Sequence, residues 1–420
     1  MTLDALVVAD DLTGAMDTGH EFAARGHPTT VAVGTDGACK EGVLVVNTDS
    51  RYLSASEARS AVERAVRDTP ARVVYKKVDS TLRGNLTAEI EGALDATGSD
   101  CALVAPAFPA GGRLTACGFH LVEGTLVTDT DAGQDPEKPV PSAHLPTLLG
   151  AGERPVRHVG VETVARGPDA VAEVFGDAAG AILACDAVHD DHLAALARGA
   201  ARSGRAVVYV GSAGLAGAVE LPGGSGTAPV APEPPADARV LGIAGSANPV
   251  TVEQLAALPE GQVVRLDAER AVTDPAGAAT GTARCALEVL DDRGTAVVAS
   301  VLEDGDVDRT LRAGREAGMA PETVRERVAE SLAGVAVAAW KRGPPDGLFL
   351  TGGAVAGRVF DALGTTGVRL TGDAVEAGVP IGYALDGVAA GTRVVTKAGA
   401  FGDERTIVNC LARLGGSDGR

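Results

Sequence analysis

Aromatic residues make up only 3% of this 420-residue chain, so Ala, Val and Leu must fill its interior. That palette suits helices packed on a parallel sheet, whose strands are buried on both faces. The six cysteines (Cys39, Cys101, Cys117, Cys185, Cys285 and Cys410) are scattered, with no CxxC pair. Their spacing argues against a metal site and for reduced, mostly buried thiols in a cytoplasmic protein. No apolar run reaches the roughly 18 residues of a membrane span. The chain enters an apolar strand at Leu3 without the basic and apolar segments of an export signal. There is no basic run either: 37 Lys and Arg stand against 56 Asp and Glu, a net charge of −19. A nucleic-acid partner needs a basic face, so none is expected, and the acidity serves solubility. GxxxxGK(S/T) is absent, which excludes a P-loop, and no GxSxG stands between an apolar strand and a helix as a hydrolase nucleophile elbow requires.

The chain does contain polar clusters placed at strand ends. After the apolar run Arg72-Val73-Val74-Tyr75 comes Lys76-Lys77-Val78-Asp79-Ser80-Thr81-Leu82-Arg83-Gly84-Asn85, followed by a helical pattern from Gly84 to Thr97. A second apolar run ends in Ala9-Asp10-Asp11-Leu12-Thr13-Gly14-Ala15, and a third in Asn47-Thr48-Asp49-Ser50-Arg51. One such cluster reads equally well as a solvated loop. Open α/β sheets bind ligands beyond the carboxyl ends of their strands. Three such ends with carboxylates, hydroxyls and cationic groups describe a pocket for a small, anionic, hydroxyl-bearing molecule.

The alternation of Val-rich runs with helical patterns predicts an α/β fold of two domains, each a largely parallel sheet flanked by helices. Ser54 and Glu57 are placed as a capping box for a helix through Arg67. Leu221 to Asp237 is too rich in Pro and Gly for helix or central strand and reads as a linker. The boundary is set at about residue 225, giving domains 1–225 and 226–420. The second half holds Gly-rich strand ends at Gly245-Ser246-Ala247-Asn248, Thr351-Gly352-Gly353-Ala354-Val355 and Thr396-Lys397-Ala398-Gly399. Glycine there admits close backbone approach, and a following helix start offers unpaired N–H groups to phosphate. The run from Gly211 to Gly217 reads as a turn opening a helix. His189-Asp190-Asp191-His192 reads as an exposed helix start rather than a metal site. His120 either touches a ligand or packs beneath the polar loop.

Taken in order, these segments resemble the four-carbon acid sugar kinases. The resemblance rests on ADDLTGA at 9–15, TDSR at 48–51, KKVDSTLRGN at 76–85 and APAFPAGGR at 105–113. It continues with GSAN at 245–248, TGG at 351–353, GVP at 378–380 and TKAGAFGD at 396–403. The resemblance implies an ATP-dependent kinase of threonate, erythronate or 3-oxo-tetronate, with its active site in the cleft between an acid-binding and a nucleotide-binding domain. It places substrate contacts at Asp11, Arg51, Lys77, Val78, Asp79 and Ser80, and catalysis at Asp11 with Asp10 beside it. It places nucleotide contacts at Ser246, Gly352, Gly353, Ala354, Val355 and Gly399. Arg51 and Lys77 suit a carboxylate, and an aspartate can orient or deprotonate the attacking hydroxyl. Mg²⁺ is expected to accompany ATP; its protein ligands are not assigned. The family pattern carries an acidic and then a hydroxyl residue after the paired glycines, where this chain has Ala354 and Val355. The alternatives are a kinase of another hydroxy or hydroxy-amino acid and a non-catalytic sensor of sugar acids or nucleotides. The assembly is left open between a monomer and a homodimer.

Overall fold

Short aliphatic runs become the strands, and the polar residues that follow them begin the loops. The computed structural model describes residues 2–33, 41–135, 137–222, 233–235 and 237–416. The chain divides into two units, Met1–Ala228 and Pro229–Arg420. The boundary expected near residue 225, residues 223–232 of the linker and Cys39 lie outside the described residues.

The strands of the first unit are β1 (Leu3–Ala9), β2 (Thr29–Ala32), β3 (Val43–Asn47), β4 (Ala71–Lys77), β5 (Cys101–Ala105), β6 (Arg113–Ala116), β7 (Phe119–Val122), β8 (Thr125–Leu126), β9 (Val156–Val159), β10 (Ile182–Cys185) and β11 (Val207–Gly211). Eight of them lie side by side in the order β2-β3-β1-β4-β11-β5-β10-β9, every neighbouring pair parallel. Strands of this kind are buried on both faces, and residues 5–9 of β1 are wholly inaccessible. β6, β7 and β8 form a small antiparallel sheet that the sequence patterning did not anticipate. Its two tight turns are Cys117-Gly118 and Glu123-Gly124, all four residues at positive φ, which matches the twist a two-residue hairpin needs.

β4 runs two residues further than its apolar core suggested, so Lys76 and Lys77 belong to the strand and not to the loop after it. Successive strand residues point to opposite faces, and the two lysines therefore have different surroundings. The Ser54–Glu57 capping box is present at the start of the helix Ala55–Asp68.

The second unit contributes β12 (Val240–Ala244), β13 (Val263–Arg265), β14 (Thr295–Ala299), β15 (Gly347–Thr351), β16 (Gly367–Glu376), β17 (Val379–Ala384) and β18 (Arg393–Lys397). Their order is β13-β14-β12-β15-β18-β17-β16. The first five are parallel, and β17 is antiparallel to both β18 and β16. The longest helix of this unit among the described residues is Pro321–Arg342. Among the described residues, no helix is long and apolar enough to cross a membrane.

Candidate active site

In the first unit the site is built at the end of β1. Ala9 pairs with Asn47 of β3 on one side and with Lys77 of β4 on the other. The chain leaves β1 for β2 and β3, and leaves β4 for β5 and its neighbours in the opposite direction. Strand order thus reverses between β1 and β4, the position where open α/β sheets hold ligands.

Asp10 and Asp11 follow β1 but do different things. Asp11 caps the helix Leu12–Ala23, its Oδ1 accepting from Gly14 N at 3.1 Å. Capping therefore falls to Asp11 and not to Asp10. Asp10 is 1% exposed and receives Arg51 Nε at 2.7 Å and Nη2 at 3.0 Å. Arg51 Nη2 also donates to Asp11 Oδ1 at 2.7 Å. Burial would push the Asp10 carboxyl up, but Arg51, Lys76 and Lys77 outweigh it and hold it below its ordinary value. Burial likewise opposes the charge of Arg51, yet Asp10, Asp11 and Asp79 raise its pKa well above normal. The two-point face of Arg51, expected to clamp a substrate carboxylate, is occupied by Asp10. Only its Nη1 edge meets no acceptor among the described residues.

Lys76 is fully buried, its Nζ 3.2 Å from Glu89 Oε2 and donating to Lys77 O at 2.7 Å. Glu89 is held in turn by Ser50 Oγ at 2.5 Å, and Ser50 Oγ lies 2.7 Å from Thr48 Oγ1. Lys76 therefore stabilises the structure from within. Lys77 passes over the first turn of the helix capped by Asp11. A Cβ at Gly14 would lie 2.4 Å from Lys77 Nζ and 2.6 Å from Asp11 Oδ1, so only glycine leaves room for this crossing. Among the described residues Lys77 Nζ meets no hydrogen-bond acceptor, which leaves an ammonium free to bind an anion.

The loop after β4 is held from several sides. Val78 is buried and its N–H donates to Gly211 O at 3.0 Å, so neither its side chain nor its N–H reaches a ligand. Asp79 Oδ2 receives Thr81 Oγ1 at 2.5 Å and Arg83 Nε at 2.6 Å. Burial acts against the charge of Asp79, but Arg83, Arg51 and Lys77 drive its pKa far down. The Ser80 hydroxyl has no partner among the described residues, while its carbonyl accepts from His120 Nε2 at 2.8 Å. A carbonyl can only accept, so His120 carries its proton on Nε2 and accepts from Thr115 Oγ1 through Nδ1 at 2.9 Å. Burial lowers the His120 pKa to about 4. His120 therefore packs beneath the loop as a neutral support.

Three residues to which sequence reasoning gave no site role complete the surroundings. Asn85 Nδ2 donates to Ser50 O and Leu53 O, each at 3.0 Å, and fixes the turn that carries Arg51. Lys138 Nζ donates to Leu53 O at 2.8 Å and Asn85 Oδ1 at 3.1 Å. Asp17 is 6% exposed and has no hydrogen bond among the described residues. Burial raises its pKa to about 6, Lys77 opposing and Asp11 adding to the rise. Its position three residues after Gly14, on the same face of the helix, was the available signal.

In the second unit, strand order reverses between β12 and β15, and Ala244 pairs with Thr351 while Thr351 pairs with Lys397. This brings the three Gly-rich ends together. A Cβ on Gly399 would sit 2.3 Å from Ser246 Oγ, and one on Gly352, whose φ is +98°, would meet Ser246 N at 3.2 Å. A Cβ on Gly245 would meet Val355 Cγ2 at 2.2 Å. Val355 is buried against this glycine, whereas Ala354 is exposed. The helix Gly353–Leu363 has no side-chain cap, so the N–H groups of Gly353, Ala354 and Val355 remain available to an anion. Lys397 is buried, with its pKa lowered by burial to about 8, and Nζ donates to the carbonyls of Ala398, Gly399 and Phe401 at 2.7, 3.1 and 3.2 Å. Thr251 Oγ1 ties Gly399 O at 2.8 Å to Ser246 Oγ at 3.2 Å. Lys397 thus shapes the loop from below.

Elsewhere, Ser212 caps the helix Ala213–Ala218, and His189 and His192 stand at the exposed start of the helix Asp190–Arg202. Among the described residues no group of three His, Cys, Asp or Glu side chains is placed to hold a metal. The five described cysteines are free thiols, three buried and two exposed.

Comparison with known proteins covers both units. A sugar-binding N-terminal domain family matches residues 5–219, and a nucleotide-binding C-terminal domain family matches residues 241–407. The D-threonate kinase of Salmonella typhimurium is 33% identical over 97% of each chain. That of Bordetella bronchiseptica is 35% identical, over 97% of this chain and 96% of the relative. The D-erythronate kinase of Heliobacterium modesticaldum is 31% identical, over 98% and 97%. A solved Haemophilus influenzae structure superposes with a TM-score of 0.71 at 21% identity, covering 97% of this chain and all 100% of its own, a likeness of fold alone.

Proposed function

Because the chain belongs to the four-carbon acid sugar kinase family, we propose that it transfers the terminal phosphoryl group of ATP to a hydroxyl of a four-carbon sugar acid. The acid is of the threonate, erythronate or 3-oxo-tetronate type, and D-threonate is the first to test. The alternatives of a non-catalytic sensor and of another hydroxy or hydroxy-amino acid are not favoured beside relatives that are kinases of four-carbon acids.

The observation that carries the site is the Lys77 ammonium, without a hydrogen-bond acceptor among the described residues, beside Asp11 where the strand order reverses. Lys77 binds the acid's carboxylate, with the open edge of Arg51 beside it. Asp11 Oδ2, which has no partner among the described residues, orients the reacting hydroxyl and accepts its proton. Asp10 neutralises Arg51 and keeps it in place. Ser80 and Asp79 Oδ1 face the remaining hydroxyls. Phosphoryl transfer leaves a protein little to do beyond positioning and neutralising charge. In the second unit, Ser246, the amides of Gly353, Ala354 and Val355, and Gly399 hold the nucleotide's phosphates. Mg²⁺ would neutralise charge on those phosphates, coordinated chiefly by them and by water. Because the amides do the holding, Ala354 and Val355 remain compatible with ATP.

An assay of ADP release from MgATP with D-threonate, D-erythronate and 3-oxo-tetronate, with serine and threonine as controls, tests the reading. Turnover with at least one C4 acid and none with the controls is expected. No ADP release with any of the acids, from protein that binds MgATP, would overturn it.

A further inference from the structure

Among the described residues, one pair of opposed strand residues in the second unit carries three buried hydrogen-bond donors with nothing to receive them: Nε and Nη1 of Arg393 and the hydroxyl of Tyr383. Arg393 opens β18, and Tyr383 lies directly opposite it on β17, with Arg369 of β16 opposite Tyr383 in turn. Directly opposed residues share one face of a sheet. On that face Val395 and Ile381, each two residues along its strand, pack in one core with Ile407, Cys410 and Leu411 of the helix Thr406–Gly415. Arg413 of that helix adds its positive charge to the surroundings of Arg393, and Asp373 of β16 adds a negative one.

Arg393 is 6% exposed. A guanidinium cannot shed its proton in a protein, and a buried charge without a partner is costly. Burial lowers the Arg393 pKa, and the attraction of Tyr383 and Asp373 does not offset it. The chain has 56 acidic residues, yet among the described residues Arg369, Arg393 and Arg413 make no ion pair and no side-chain hydrogen bond. All three orphan atoms are donors, so what is missing is an acceptor. Water would satisfy the bonds but leave the charge unpaired.

We infer that Arg393 and Tyr383 form a binding site for a small oxyanion, a phosphate or carboxylate group, with Arg413 and Arg369 at its margin. This site is separate from the nucleotide loops. Arg393 is the first and Lys397 the last residue of β18, about 13 Å apart at roughly 3.3 Å per residue.

Inorganic phosphate is the probe. Thermal unfolding of the whole chain is followed in phosphate against chloride at matched ionic strength, for wild type, Arg393→Met and Tyr383→Phe. Phosphate should raise the wild-type midpoint more than that of either variant. The apparent Kd should weaken at least tenfold in Arg393→Met and several-fold in Tyr383→Phe. A parallel series in malonate separates the sources: a rise in both anions marks a site for oxyanions generally, and a rise in phosphate alone marks one for phosphate. Equal shifts in all three proteins in both series would overturn the inference. Tyr383→Phe removes one oxygen and adds nothing, so it carries the test even if Arg393→Met fails to fold.

Discussion

Arg51 lays its Nε and Nη2 edge against the buried carboxylate of Asp10, at 2.7 and 3.0 Å, and so spends its planar face inside the protein. Breaking one side of a buried pair leaves an uncompensated charge and typically costs about 3–5 kcal/mol. Arg51→Lys keeps the charge but loses the two-point geometry. Its thermal midpoint should fall, and the KM for the acid should rise by at least about tenfold while the KM for ATP stays within about twofold. An unchanged midpoint together with an unchanged acid KM would remove Arg51 from both roles.

Asp11 offers a cleaner separation of fold from chemistry. Asn caps a helix as well as Asp does, so Asp11→Asn should keep the bond from Gly14 N and the helix Leu12–Ala23. What it loses is the charge at Oδ2. If Asp11 receives the proton, kcat should drop by roughly a hundredfold, in the range general bases contribute, with little change in melting temperature. A kcat within a few-fold of wild type would leave Asp11 as an anchor only.

Much of this arrangement was legible in the sequence because polar residues at the ends of aliphatic strands have few reasons to be there. Asp11, Arg51, Lys77, Asp79 and Ser80 gather in the first unit, and Ser246, Gly352, Gly353 and Gly399 in the second. The division of labour between neighbours was not legible. Lys76 and Lys77 look alike, but on a strand they face opposite ways, and the partner that makes Lys76 structural, Glu89, lies on a later helix. Asp10 and Asp11 likewise separate only when Arg51, some 40 positions away in sequence, closes on Asp10. His120 was ambiguous because its two partners, Ser80 O and Thr115 Oγ1, meet it only through the hairpin of β6 and β7.

Asp17 should make stability depend on pH. Its pKa is raised from 3.8 to about 6, so between these values the folded chain binds more protons than the unfolded chain. Stability contributed by this residue is therefore present below about pH 4 and is lost as pH rises through about 6, by on the order of 1–3 kcal/mol. Asp17→Asn should be more stable than wild type at pH 7.5, with the difference shrinking toward pH 4.5, as read by urea unfolding at the two pH values. Lys77 and Asp11 face this group, and Glu21, itself raised to about 7 by burial and by Asp17, responds to it. A variant that is less stable at pH 7.5 would mean that the Asp17 carboxylate has a partner that offsets its burial.

The convergence of the second unit's loops is testable at Gly399 and Ser246. A methyl at Gly399 would stand 2.3 Å from Ser246 Oγ and 3.0 Å from Asn248 Cβ, too close for either to remain in place. Ser246 Oγ accepts from Asn248 N at 3.2 Å and from Thr251 Oγ1 at 3.2 Å, so it cannot move without loosening the loop. Gly399→Ala should raise the KM for ATP by about tenfold or more and leave the KM for the acid nearly unchanged. Ser246→Ala removes the clashing oxygen at the cost of one phosphate contact. In the double variant the Gly399→Ala penalty should therefore shrink, and the two substitutions should be non-additive by on the order of 1 kcal/mol, as expected of residues in contact. Strict additivity in ATP KM would mean that the loops do not act on the nucleotide as one surface.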